Sequence, residues 1–177
     1  MTGERQGGVV RRNVRFQSPM DKARWLDENA SIDAARPYVR DIAIRIARTT
    51  DPNDPGALAR AIHQFVRNAV HYVHDPSQEE FADTETILRR GADDCDGKAR
   101  AFVALCRAVK LTSRIRPVFA DGKHFSHVQG EVRWPGSETH PRAQADGWLV
   151  SDPILKGSEL GDVPQNLPKV GGKWLLV

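Results

Sequence analysis

The segment that opens at Cys95 and runs to about Lys110 constrains this chain most. Ala99, Phe102, Val103, Cys106 and Val109 recur there at helical spacing, so a helix must bury that face in a core. Its start is crowded with acid: Asp93, Asp94 and Asp96 surround Cys95. A capped helix start explains this cluster better than a calcium loop, because the regular alternation and terminal glutamate of such loops are missing.

Around this helix the pattern changes from helical to extended. Ser18-Pro19 supplies a cap and a first-turn proline for a short helix through Trp25 and Leu26, and a second helix is predicted from Asp33 to about Arg48. Asp54-Pro55 repeats the cap-plus-proline start, with Leu58, Ile62, Phe65, Val66, Ala69 and Val70 following at helical spacing. His71-Tyr72-Val73 reads as extended, and a short helix from about Thr84 stops near Gly91. Downstream lie predicted strands at Ser113–Ala120, Phe125–Arg133 and Trp148–Ser151. Helices followed by a run of strands argue for an α+β fold with an antiparallel sheet. Residues 1–17 read as an irregular basic flexible tail, 18–160 as one domain, and 161–177 as a C-terminal extension ending in the apolar Trp174-Leu175-Leu176-Val177.

Composition narrows the class. With 40% hydrophobic and 28% charged residues in 177, the chain has enough apolar side chains for one packed domain and lies outside the disordered, fibrous and membrane classes. The net charge of +3 could suggest a nucleic-acid partner. Arg5, Arg11, Arg12 and Arg15 against Glu4 account for all of it, so the folded core is expected to bind no nucleic acid. No stretch approaches the roughly 18 apolar residues of a membrane span, and the first residues lack the apolar centre of a signal peptide. The expectation is a cytoplasmic protein with no membrane association. In one helix Cys95 and Cys106 would sit roughly 16 Å apart at about 1.5 Å per residue, too far for a disulfide.

Cys106 shares the apolar stripe and reads as core filling, whereas burial for packing makes little sense for Cys95 among three aspartates. A cysteine in the first turn of a helix meets free N–H groups and the positive end of the helix dipole, which favour a thiolate and can also hold an oxyanion. A base must come from elsewhere. If the strands containing His127 and ending at Asp152 are antiparallel neighbours, the imidazole lies across from the carboxylate, as a base-orienting pair requires. His71 and His74, like His124 and His127, lie three apart on strands and point to opposite faces, so no metal and no cofactor is expected.

Four blocks in order carry a resemblance: Thr86 to Val109 around Asp94-Cys95, the strand Ser113-Arg114-Ile115-Arg116-Pro117-Val118, His127-Val128-Gln129-Gly130-Glu131-Val132, and Trp148-Leu149-Val150-Ser151-Asp152-Pro153. Over roughly residues 58–153 the chain resembles the transglutaminase-like superfamily, with its papain-like core of helices on an antiparallel sheet and a nucleophile at a helix N-terminus. The resemblance implies Cys95 as nucleophile, His127 as its proton partner and Asp152 as the orienting carboxylate. It implies Tyr72 as the aromatic lining the cleft. Two positions depart from the family pattern: Gln129 stands where an aromatic is frequent, and Asp93 replaces the glycine usual two residues before the cysteine.

The function so implied is thiol-dependent acyl transfer or amide hydrolysis on a protein or peptide substrate, by a cysteine protease or amidase or a transglutaminase-like acyltransferase. Relatives from bacteria and phages tilt the expectation towards hydrolysis. The alternative is a virion-associated structural or assembly protein of a tailed phage that keeps the fold, its basic N-terminal and apolar C-terminal tails docking on virion or tail partners.

Overall fold

A computed structural model describes residues 10–12, 14–74, 79–119, 127–163, 169–170 and 173–174. In chain order the elements are β1 (Val10–Arg12), α1 (Pro19–Ala34), α2 (Pro37–Ala47), α3 (Pro55–Ala69), β2 (His71–Tyr72), β3 (Glu80–Ala82), α4 (Thr84–Arg90), β4 (Ala92–Asp93), α5 (Cys95–Ala108), β5 (Thr112–Val118), β6 (His127–Arg133), a 3₁₀ turn (Ser137–Thr139), β7 (Leu149–Ser151), β8 (Lys169–Val170) and β9 (Lys173–Trp174). The fold is α+β, with α5 at its centre. Residues 99 and 101–106 are buried, and α5 packs against α1, α2, α3 and α4 as well as the antiparallel sheet β5-β6-β7.

The predicted caps form. Ser18 and Asp54 accept from the N–H groups of Asp21 and Ala57, and Asp83, which the sequence reading did not name, accepts from Thr86, each satisfying a first-turn donor that the helix itself leaves unpaired. The first helix is longer than its sequence suggests, running through Asp33 to Ala34, and the break falls at Ala35-Arg36 before Pro37. Proline at the first helical position makes Pro37 a better start than Asp33. Asp33 instead turns inward as a buried ion-pair acceptor. The N-terminal region also differs from its irregular reading. Val10–Arg12 pairs antiparallel with Glu80–Ala82, and the Phe16 ring meets those of Trp25 and Phe81 at 5.7 and 5.5 Å. A three-residue strand is too short for alternation to reveal it.

Val128, Gly130 and Val132 alternate along β6 towards α5. A β-carbon on Gly130 would lie 2.6 Å from Cδ1 of the fully buried Phe102, so the missing side chain is what lets helix and sheet close up. Gly130→Ala is expected to destabilise the fold by about 1–3 kcal/mol through overpacking, read as a lower urea midpoint at unchanged slope. No helix among the described residues is long and apolar enough to cross a membrane.

Candidate active site

Cys95 is the first residue of α5, capped by Asp94. The Asp94 side chain accepts from the N–H groups of Asp96 (2.9 Å) and Gly97 (3.3 Å). Two of the amides that sequence reasoning assigns to a thiolate or oxyanion are therefore already engaged. The Cys95 sulfur receives the Val128 N–H, which places it beside the start of β6, and faces Asp96 Oδ1 at 3.7 Å. Among the described residues it makes no hydrogen bond to the His127 ring.

These surroundings work against a thiolate in the resting state. Burial pushes the Cys95 thiol well above the usual range, the Asp96 and Asp94 carboxylates push it further, and the Val128 N–H and Lys22 oppose them. The Asp94 cap opposes the helix-start effect, because it takes two of the donors and adds a like charge. Asp96 is itself buried, and its carboxyl is raised by that burial and by Asp94, with the Lys22 ammonium at 2.6 Å holding it down. Asp94, Cys95 and Asp96 bring ligand atoms within 4.8 Å, but one carboxylate caps the helix and the other pairs with Lys22.

Asp93, in the place of the usual glycine, is buried. Its carboxylate accepts the Asp94 N–H at 2.9 Å and pairs with Arg90. Gly97 makes the room: a β-carbon there would lie 2.1 Å from Asp93 Cγ. The glycine before the cysteine is in effect exchanged for one after it. Tyr72, paired with Asp93 across β2 and β4, is half-buried. Its hydroxyl is pushed up to about 12 by burial and by the surrounding Cys95, Asp94, Asp96 and Asp152 charges, which places it at this site.

The register of β6 and β7 sets Gly130 opposite Ser151, so Asp152 follows the end of β7 next to the start of β6. His127 Nε2 lies 2.9 Å from Asp152 Oδ2, leaving Nδ1 as the ring nitrogen for another partner. The Asp152 side chain is 1% exposed and that of His127 13%, so the carboxylate is sealed while the ring keeps an open edge.

A second histidine, which sequence reading does not single out, anchors this corner. His63 on α3 is fully buried, with Nδ1 2.9 Å from Ser151 Oγ and Nε2 3.0 Å from the Ser158 carbonyl. The carbonyl can only accept, so Nε2 carries the proton. Ser158 Oγ in turn donates to the Asp152 carbonyl at 2.9 Å. A polar residue beside Ile62 on an otherwise apolar stripe is the signal that could have found it. Burial lowers His63 to about 4 from an ordinary 6.5, so unfolding takes up a proton between those values. Stability is therefore expected to fall by about 3 kcal/mol as pH drops from 6.5 to 4. Denaturant titrations at several pH values check this, and His63→Gln should flatten the slope.

The comparisons with known proteins agree with this architecture. Residues 40–153 match the model of the transglutaminase-like superfamily. No curated protein matches the chain. A solved structure of a candidate protease from Parabacteroides distasonis ATCC 8503 is similar with a TM-score of 0.51 at 12% identity, the match covering 87% of this chain and 32% of that one. At that identity the likeness shows the fold alone. With the family's model spanning the helices from α2 onward, the Cys95-bearing α5 and the whole sheet, the chain belongs to the transglutaminase-like superfamily.

Proposed function

We propose that the protein is a thiol-dependent acyl-transfer enzyme acting on peptide amides, with Cys95 as nucleophile, His127 as its base and acid, and Asp152 holding the imidazole. The observation that carries this reading is the 2.9 Å contact of His127 Nε2 with a sealed carboxylate, at a strand start whose next amide binds the Cys95 sulfur. Such a contact fixes the tautomer and ring orientation and stabilises an imidazolium when one forms.

The chemistry begins with rotation of the Cys95 side chain away from Asp96 towards Nδ1 of His127. The thiol proton passes to Nδ1 as sulfur attacks the carbonyl carbon, and the carbonyl electron pair becomes an oxyanion facing the N–H of Cys95 itself. Collapse reforms the carbonyl, breaks the C–N bond and returns the proton from His127 to the departing amine. The resulting thioester is opened by water, giving a protease or amidase, or by a lysine amine, giving a crosslink. The likeness to a candidate protease favours water.

The virion-assembly alternative rests on the terminal segments. Residues 1–9, 171–172 and 175–177 lie outside the described residues, so no described contact favours it. The test is mass spectrometry of wild type and Cys95→Ala after exposure to a panel of peptide amides and peptide esters, with and without methylamine. An acyl adduct on Cys95 in the wild type, absent from Cys95→Ala, is the expected result. A panel yielding no adduct even from activated esters would overturn the reading.

A further inference from the structure

We propose that His63 is a positioning residue of the triad, holding the Asp152 backbone through Ser151 and Ser158 so that the carboxylate meets His127. The inference rests on the acyl-transfer reading above. Asp152 stands just past the end of β7, one residue beyond the Gly130–Ser151 pair that closes the β6-β7 ladder, so strand pairing does not extend to it. Its side chain is tied only to the ring it orients. Oδ2 lies 2.9 Å from His127 Nε2, and Oδ1 has no hydrogen-bond partner among the described residues. Where this carboxylate points is therefore set by its backbone.

Two serines hold that backbone. Ser158 Oγ donates to the Asp152 carbonyl at 2.9 Å, closing the loop 153–157 onto its own start. Gly157, at φ 77° in the left-handed region, turns the chain back for that contact. Ser151, immediately before Asp152, turns its hydroxyl to α3. His63 reaches both serines: Nδ1 lies 2.9 Å from Ser151 Oγ, and Nε2 donates to the Ser158 carbonyl at 3.0 Å. All three residues are completely buried. Only a neutral imidazole accepts at one nitrogen while donating at the other, and burial keeps His63 neutral near pH 7. One ring thus brackets Asp152 from both sides along the chain.

Satisfying buried polar groups does not by itself call for a histidine here. The Ser158 carbonyl also receives the Arg67 guanidinium, and an alanine at 151 would need no partner. An apolar side chain beside Ile62 and Val66 would continue the buried face of α3 without sealing a polar ring away from water. What the imidazole adds is a rigid link between β7 and the returning loop.

Two measurements test this. In the first, crystal structures of His63→Leu and Ser158→Ala give the separation of His127 Nε2 from Asp152 Oδ2. It is expected to open beyond about 3.5 Å, outside hydrogen-bond range, in both variants. A contact kept in His63→Leu would overturn the proposal. Should that variant not fold, Ser158→Ala decides in the same way. This measurement needs no turnover, so its failure is distinct from failure of the enzymatic assignment, which the Cys95 adduct decides.

In the second, single-turnover acylation by an activated peptide ester is followed well below the unfolding temperature. His63→Leu is expected to slow acylation of Cys95 at saturating ester about ten-fold or more, with the half-saturating concentration unchanged. His63→Gln, whose amide can replace one of the two hydrogen bonds, should recover part of the rate. A lower urea midpoint with the wild-type acylation rate would mark His63 as merely structural and overturn the proposal.

Discussion

Replacing His127 with alanine is expected to slow acylation of Cys95 by roughly 10⁴-fold or more, with a measurable loss of stability. The size follows from the thiol's environment. Burial and the Asp96 and Asp94 carboxylates push the thiol up, which disfavours a thiolate and with it a base-less route. On the proposed reading, His127 takes the proton as the bond forms. The stability cost, about 1–3 kcal/mol, follows from the partner left behind: Asp152 is sealed, its Oδ2 holds the ring, and its Oδ1 has no hydrogen-bond partner among the described residues. Single-turnover acylation with an activated peptide ester gives the rate, and urea unfolding gives the stability. A variant that acylates at the wild-type rate would remove His127 from the mechanism.

The same comparison shows what was legible in the sequence. The caps at Ser18 and Asp54 were readable because each is a local contact of a side chain with an amide three residues on. The order of helices and strands was readable because each carries its own period. The acid cluster at Cys95 was visible, but its sign was not. Whether Asp94 helps or hinders a thiolate depends on whether its oxygen takes the first-turn amides, and only coordinates show that it does. His63 was hidden for another reason. It is a polar residue in a helix, and nothing local says which face is sealed when four helices and the sheet close around α5. The exchange of Asp93 against Gly97 is likewise a packing fact between residues four apart, and the family pattern reports half of it as a departure.

Asp33→Ala is expected to destabilise the fold by about 3–5 kcal/mol, the range for stripping one partner from a buried ion pair. Asp33 is 1% exposed, and its Oδ2 accepts from Arg100 Nε at 2.7 Å, from the Thr84 N–H at 2.9 Å and from Thr84 Oγ at 2.8 Å. Thr84 opens α4, so that amide is one the helix cannot satisfy itself. Arg100 belongs to α5, is equally buried, and also donates to the Ala82 carbonyl of β3 at 2.9 Å. One carboxylate thereby ties the end of α1 to α4 and α5. Alanine would leave a guanidinium and an amide unpaired in a dry site, and the loss comes from those orphans more than from the missing attraction. The double variant Asp33→Leu with Arg100→Met removes both charges and should recover much of the loss, which a double-mutant cycle by urea unfolding measures. A single-variant cost below about 1 kcal/mol would mean that the cluster is hydrated and that α5 is held by its apolar face alone.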